Sequence, residues 1–289
     1  TWVERFQRIE AMKDDYSIAQ LCLALGVSRS GFYAWRDHRP SQRAHADTQL
    51  GARIAVAHAR SRRTYGSPRI REDLRQEGVL VGRRRVARIM REQNIAGRSR
   101  KRRRPQTTNS EHDQPIAPNL LKGRAAARGL NEVWVTDITY VATDEGWLYV
   151  AGILDLYSRK IVGWSFGSSL GTGLCLEALA MALRDRRTPK GLIHHSDRGV
   201  QYASREYRQA LADASLTPSM SRKGNCYDNA TAESFWSTLK TECVHRNHFK
   251  TRAEAALSLF DFIECFYNRH RRHSSLGYLS PVAFETLNN

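Results

Sequence analysis

From Val133 to Ser169 the chain reads VWVTDITYVATDEGWLYVAGILDLYSRKIVGWSFGSS. Three runs, 133–142, 147–158 and 160–169, are rich in β-branched and aromatic residues, and short polar turns separate them. They predict an antiparallel meander of three strands. One charge sits at the centre of the first run: Asp137 interrupts an otherwise strand-forming stretch. A carboxylate there is costly to bury without a partner.

Downstream, 173–184 reads as a helix, LIHHSD (192–197) as a short strand, 204–212 as a helix and LTPSM (216–220) as a strand. A polar loop, SRKGNCYDN (221–229), leads into a helix carrying Ala230, Ala232, Phe235, Trp236 and Leu239, and 251–267 forms a last helix. A meander followed by alternating helices and strands predicts a mixed α/β sheet covered on both faces. That is the order of a ribonuclease H-like fold.

Two further acids join Asp137. Asp197 ends the strand LIHHS, at the carboxyl end where α/β sheets place ligands. Glu233 lies early in the helix after the polar loop. At about 100° per residue, Ala232, Phe235, Trp236 and Leu239 share one stripe, while Asn229, Glu233, Ser237 and Lys240 share the next. If the apolar stripe packs on the sheet, Glu233 leans over the ends of the strands bearing Asp137 and Asp197. Glu242 points to roughly the opposite side, and Asp155 reads as structural, pairing with Arg159. Each acid alone would be read as a capping or surface residue. Three converging carboxylates repel one another, and a divalent cation removes the conflict. Hard oxygen donors suit Mg²⁺ or Mn²⁺. Two such ions about 3.5–4 Å apart suit in-line displacement at phosphorus by a water or a 3′-hydroxyl. Lys240, two turns after Glu233, is placed to hold a phosphate.

The chain has 289 residues and a formal net charge of +17. Residues 1–130 hold 28 Lys and Arg against 12 Asp and Glu, while residues 131–289 hold 18 against 17. The excess therefore lies in the first half, which points to a polyanionic partner there rather than to solubility alone. Ile18, Leu21, Cys22 and Leu25 recur with helical spacing, Gly26 stops that helix, and Ser28 caps a second one carrying Phe32, Tyr33 and Trp35. This is a helix-turn-helix pattern, with Arg29 and Arg36 exposed for DNA; a plain helical hairpin would read the same way. A second unit has helices over 47–60, from Ser67-Pro68 to Gly78, and over RRRVARIMREQN (83–94). In the last, Val86, Ile89 and Met90 face inward, and Arg83, Arg84, Arg85, Arg88 and Arg91 make the rest basic. The run from Arg98 to Arg104 reads equally as a phosphate-binding arm or a solvated linker. Five scattered cysteines make no disulfide framework and point to a reducing, intracellular setting. Cys243, His245, His248 and Cys265 lack zinc-finger spacing and read as incidental. No apolar run approaches a membrane span.

The words WVTDITYV, LDLYSRKIVGWS, HHSDRGVQY, SRKGNCYDNATAESFWSTLKTE and YNRHRRHSSLGYLSPVAFE, with 60 positions from Asp137 to Asp197 and 35 residues between Asp197 and Glu233, closely resemble the insertion sequence three family of DDE transposases, in its second-reading-frame portion. The resemblance spans residues 15–286. It implies an Mg²⁺-dependent enzyme that cuts a DNA strand at an element end and joins the freed 3′-hydroxyl to other DNA. Asp137, Asp197 and Glu233 would be the metal-binding catalytic acids, and Lys240 the family's lysine seven residues after the glutamate. It also implies double-stranded DNA partners, namely terminal inverted repeats and target DNA. A homodimer or larger synaptic complex, a first-reading-frame partner segment with a leucine zipper, and a bacterial, cytoplasmic, nucleoid-associated location follow as well.

The expected organisation is a helix-turn-helix over 1–40, a second helical DNA-binding unit over 41–96, a basic linker over 97–130, a catalytic core over 131–248, and a C-terminal helix with a basic tail over 249–289. In that tail Arg271 and Arg272 are expected to meet phosphates, with Tyr267 and Tyr278 nearby. A hydrolysing nuclease on the same fold and a DNA-binding regulator with an idle core are the rival functions. The twin basic units speak against the first, and the intact acids against the second.

Overall fold

The computed structural model describes residues 1–37, 41–98, 114–124, 126–221 and 230–288. The chain divides into two compact units, Thr1–Val56 and Ala57–Asn289, and the division falls inside a helix.

The first unit holds α1 (Trp2–Met12), α2 (Ile18–Ala24), α3 (Arg29–Arg36) and the start of α4 (Gln42–Arg60). Ser17 caps α2 and Ser28 caps α3, the latter accepting from Gly31 N at 3.0 Å. Gly26 takes φ +60°, a left-handed conformation that closes the turn between them. The two expected helices and the turn between them are present. The sequence reading lacked α1, whose Ile9 is fully buried with Leu21, Cys22 and Phe32. Phe6, on the same helix, sits 6.2 Å from the Phe32 ring and 5.8 Å from Trp35.

The second unit begins with the end of α4, then α5 (Ser67–Gln76) and α6 (Arg83–Glu92). Gly66, rather than Ser67, is the N-cap of α5, and Pro68 lies in its first turn, where its missing N–H leaves no bond unmade. Ile70, Leu74, Val86, Ile89 and Met90 are buried.

Five strands follow: β1 (Val133–Thr143), β2 (Gly146–Asp155), β3 (Ile161–Gly167), β4 (Ile193–Ser196) and β5 (Thr217–Met220). They form one sheet in the order β3-β2-β1-β4-β5. The meander is antiparallel, and β1, β4 and β5 are mutually parallel. This is the ribonuclease H-like arrangement. α7 (Thr172–Asp185) joins β3 to β4, and α8 (Val200–Ala203) and α9 (Arg205–Asp213) join β4 to β5. α10 (Ala230–Glu242), α11 (Arg252–Phe260), a π-helical stretch (Asp261–Tyr267) and α12 (Pro281–Asn288) complete the unit.

Two glycines set the helices on opposite faces. Gly163 pairs with Ile153, and Gly152 with Asp137. Side chains alternate along a strand, so these notches open to different sides. A Cβ at Gly163 would stand 2.2 Å from Ala178 O of α7. A Cβ at Gly152 would stand 2.8 Å from Trp236 Cη2 of α10. Asp137 thus projects from the face that α10 covers.

Part of the expected linker is built into this unit. Leu120 N donates to Ser219 Oγ at 2.9 Å and Met220 N to Pro118 O at 3.4 Å, which lays the chain along β5. Arg98 is described, but the rest of the basic run to Arg104 lies outside the described residues.

Candidate active site

The 60-residue spacing has a structural cause. Parallel pairing sets Val133 beside Ile193 and Val135 beside His195, an offset of 60. Carried two residues on, the same offset brings Asp137 level with Asp197, just past the end of β4. Asp137 Oδ1 accepts from Ile138 N at 2.8 Å, and Asp197 Oδ1 accepts from Gly199 N at 2.9 Å. Glu233 stands exposed in the first turn of α10, whose Ala232, Phe235, Trp236 and Leu239 are buried. The loop SRKGNCYDN that leads into it lies, after Ser221, outside the described residues.

Electrostatics ties the three together. Asp137 is pushed up to about 8, first by burial, then by the charge of Asp197, with Glu233 adding to it. The amide of Ile138 and the indole of Trp236 act the other way, favouring the carboxylate. Trp236 Nε1 is nevertheless buried with no partner in full bonding geometry, so it approaches the carboxyl without closing on it. Lys240 Nζ lies 4.9 Å from the centre of the Tyr140 ring, a cation–π contact. Burial lowers the Lys240 pKa, and Asp137 opposes that shift, so the lysine belongs to the same field.

Among the described residues, no three His, Cys, Asp or Glu side chains are drawn tightly enough to enclose a metal ion. The acids therefore feel one another without forming a closed cage. Their chemistry fits a hard divalent cation: three carboxylates, one of them pushed up by burial and by the charges of its neighbours. Asp137 is only half-buried by exposed area, which leaves a path to it from solvent.

The other expected contacts fall out differently. Arg29 and Arg36 are exposed on α3, and Arg36 also stacks on Tyr33 at 4.8 Å. Arg83 and Arg84 are exposed on α6, whereas Arg85 and Arg88 are half-buried and Arg88 pairs with Glu92 at 2.7 Å. Arg271 and Arg272 are not presented to a DNA strand. Arg271 is 5% exposed and grips Glu242 through two bonds of 2.8 and 2.7 Å. Arg272 bonds Asp73, Gln76 and, at 2.9 Å, Tyr278 O. The physical reason is the return of the C-terminal segment across α5, which turns an expected basic tail into an internal brace. Asp155 is structural, as expected, but its partners are the amides of Asn131, Tyr157 and Ser158 at 2.7, 3.0 and 2.8 Å. Arg159 instead donates to Thr231 Oγ1 at 2.7 Å. Sequence reasoning assigned Trp236 only to the packed stripe. Its neighbourhood with Asp137 needed the β1–β2 pairing, which no local pattern displays.

A family profile described as an HTH-like domain matches residues 44–103, and two described as integrase core domain match residues 127–226 and 233–288. The chain is 50% identical over 264 residues to the insertion element IS600 uncharacterized 31 kDa protein of Shigella sonnei, covering 91% of this chain and 97% of that protein. It is 42% identical over 282 residues to the transposase InsF for insertion sequence IS3A of Escherichia coli (strain K12), covering 97% of this chain and 98% of that protein. Among solved structures, a simian T-cell lymphotropic virus intasome in complex with PP2A regulatory subunit B56 gamma aligns with a TM-score of 0.42 at 18% identity, over 56% of this chain and 57% of that one. The HTLV-2 integrase catalytic core domain in complex with magnesium aligns with a TM-score of 0.41 at 13% identity, over 53% and 94%. With two integrase core segments behind an HTH-like domain, and a transposase matched along nearly its whole length, the chain belongs to the insertion sequence three family of transposases.

Proposed function

We propose that this transposase cuts DNA at the ends of its element and transfers the freed strand at Asp137, Asp197 and Glu233, with Mg²⁺ or Mn²⁺ held by those acids. The observation that carries the reading is geometric: the register of β1 and β4 brings Asp137 level with Asp197, and α10, with Glu233 exposed in its first turn, packs over the same face of the sheet. When bound, the cation offsets their repulsion and supplies Lewis-acid activation of a water or 3′-hydroxyl; two ions suit a phosphodiester exchange. The chain's own residues set the rest. The two parallel strands hold Asp137 and Asp197 level. Packing of Trp236 over Gly152 sets the height of α10, and with it the approach of Glu233. Lys240, held against Tyr140, neutralises a phosphate oxygen beside the scissile bond. The exposed arginines of α3 and α6 bind phosphates of the terminal repeats. Two element ends must be held at once, so the working form is a dimer or larger, and a segment from the first reading frame adds contacts. No helix among the described residues is long and apolar enough to cross a membrane, consistent with a cytoplasmic, nucleoid-associated protein.

The test is Asp197→Asn, assayed with labelled element-end duplexes in Mg²⁺. Nicked and joined products should fall by roughly a thousandfold or more, while duplex affinity stays within about twofold. Strand transfer that survives the substitution removes Asp197 from the site. A wild-type protein that nicks but never joins is a nuclease; one that binds and does neither is a regulator.

A further inference from the structure

Across α10 from Glu233 lies a second polar site. A cavity of about 160 Å³ opens between α10, Arg69 of α5, Arg159 of the β2–β3 turn and the segment around Arg271. Thr231 and Ser234 line it from α10. At 100° per residue Thr231 lies about 160° and Thr238 about 140° round the helix from Glu233, while Ser234, next to it in the chain, lies 100° round.

Its charge is out of balance. Among the described residues, Glu242 is the carboxylate bonded at this cavity, and Arg271 takes it with both bonds; Asp155 acts on Arg159 through its charge alone. Arg69 reaches Glu242 only at 3.9 Å. Arg159 has a neutral partner, the Thr231 hydroxyl. Burial accordingly pulls Arg69 and Arg159 below the ordinary arginine value, whereas Glu242 holds Arg271 above it. His273 adds a second polar group: its Nε2 is buried and has no hydrogen-bond partner among the described residues, and burial beside the arginines favours the neutral ring. Desolvated positive charge that no carboxylate bonds closely is unfavourable, and an anion relieves it. The cavity has room for a tetrahedral oxyanion and is open to solvent on one side.

We infer that this cavity is a subsite for a single phosphodiester group of the DNA strand that crosses α10, held by Arg69, Arg159, the α10 hydroxyls and His273 Nε2. The inference rests on the proposed DNA chemistry and adds a contact to it: α10 would be gripped by DNA on both flanks, which fixes the height of Glu233 over the strand.

The experiment measures affinity for a 40-base-pair duplex against salt concentration, by fluorescence anisotropy, for the full chain and two variants. Arg69→Gln removes one guanidinium. Ser275→Glu, at an exposed residue on the cavity rim, supplies a competing carboxylate without disturbing the core. Each variant should lower the slope of log affinity against log salt by about one unit. Inorganic phosphate should raise the Tm of the wild type and not that of Ser275→Glu. Should Arg69→Gln fail to fold, Ser275→Glu decides alone. Slopes equal to wild type in a folded variant overturn the inference. They do so also if phosphate still raises Tm, since the cavity would then serve a free anion. Strand transfer by the wild type is read in parallel: its absence counts against the proposed chemistry, whereas the slopes judge the subsite separately.

Discussion

Asp137 is where the three elements of the site act on one atom pair. Its folded value, about 8, lies far above the value of about 3.9 for a free aspartate. The sign of the pH dependence follows. The folded state binds a proton that the unfolded state has released, so the contribution to stability is complete below about pH 4 and is lost as pH rises through about 8. Asp137→Asn keeps the shape and removes the titration. In chelator at pH 8.5, the Asn variant should melt higher than wild type, and the two should converge near pH 4. Mg²⁺ should raise the wild-type Tm at pH 8.5, where Asp137 is already mostly ionised, and leave the variant's nearly unmoved. Thermal melts across pH, with and without the cation, check this. A variant that melts below wild type at pH 8.5 would show that the carboxylate is satisfied without metal.

At the scale of elements, two helices do most of the work attributed to the site. α6 buries Val86, Ile89 and Met90 and leaves Arg83 and Arg84 exposed. Arg84→Ala should therefore leave stability within about 0.5 kcal/mol and lower the salt slope of duplex binding by about one unit. An unchanged slope would mean that this face of α6 points away from DNA. α10 is read in the sequence as one packed stripe and one polar stripe, and its burial agrees: Phe235, Trp236 and Leu239 inside, Glu233 outside. Its other flank was invisible, because Thr231 and Ser234 look like ordinary solvated hydroxyls until Arg69 and Arg159 arrive from distant segments. α1 was missed for a different reason. Phe6 and Ile9 are spaced for a helix, yet charged residues surround them, and only packing against Phe32 and Trp35 completes their core.

Across the second unit, the segment around residues 261–273 is fastened to α5 and the turn before it. Arg62 bonds both oxygens of Asp261 at 2.7 and 3.1 Å, Arg272 N donates to Tyr65 Oη at 2.7 Å, and Arg272 meets Asp73. A further tie runs to the end of α10: Arg271 with Glu242, each side chain 6% exposed. Arg271→Ala would strand a buried carboxylate, and the expected loss is about 3–5 kcal/mol. Chemical denaturation measures it. Glu242→Leu together with Arg271→Met should recover most of that loss, since no charge is left unpaired. An Arg271→Ala protein as stable as wild type but weak in DNA binding would return this arginine to the phosphate-contacting role first expected of it.

Local pattern alone determined the strands of the meander and the main helices after them, and marked the three acids as candidates, because side-chain periodicity and the position of a charge within a strand are properties of neighbours in the chain. The 60-residue spacing of Asp137 and Asp197 was equally legible, since it reflects the register of two parallel strands. Only the tertiary structure decided the fates of Arg271 and Arg272, the partner of Arg159 and the place of Trp236 beside Asp137. Those depend on which segments fold back on each other. Whether a guanidinium meets a phosphate or a buried carboxylate is set by the desolvation and pairing it finds there, and no spacing along the chain records that.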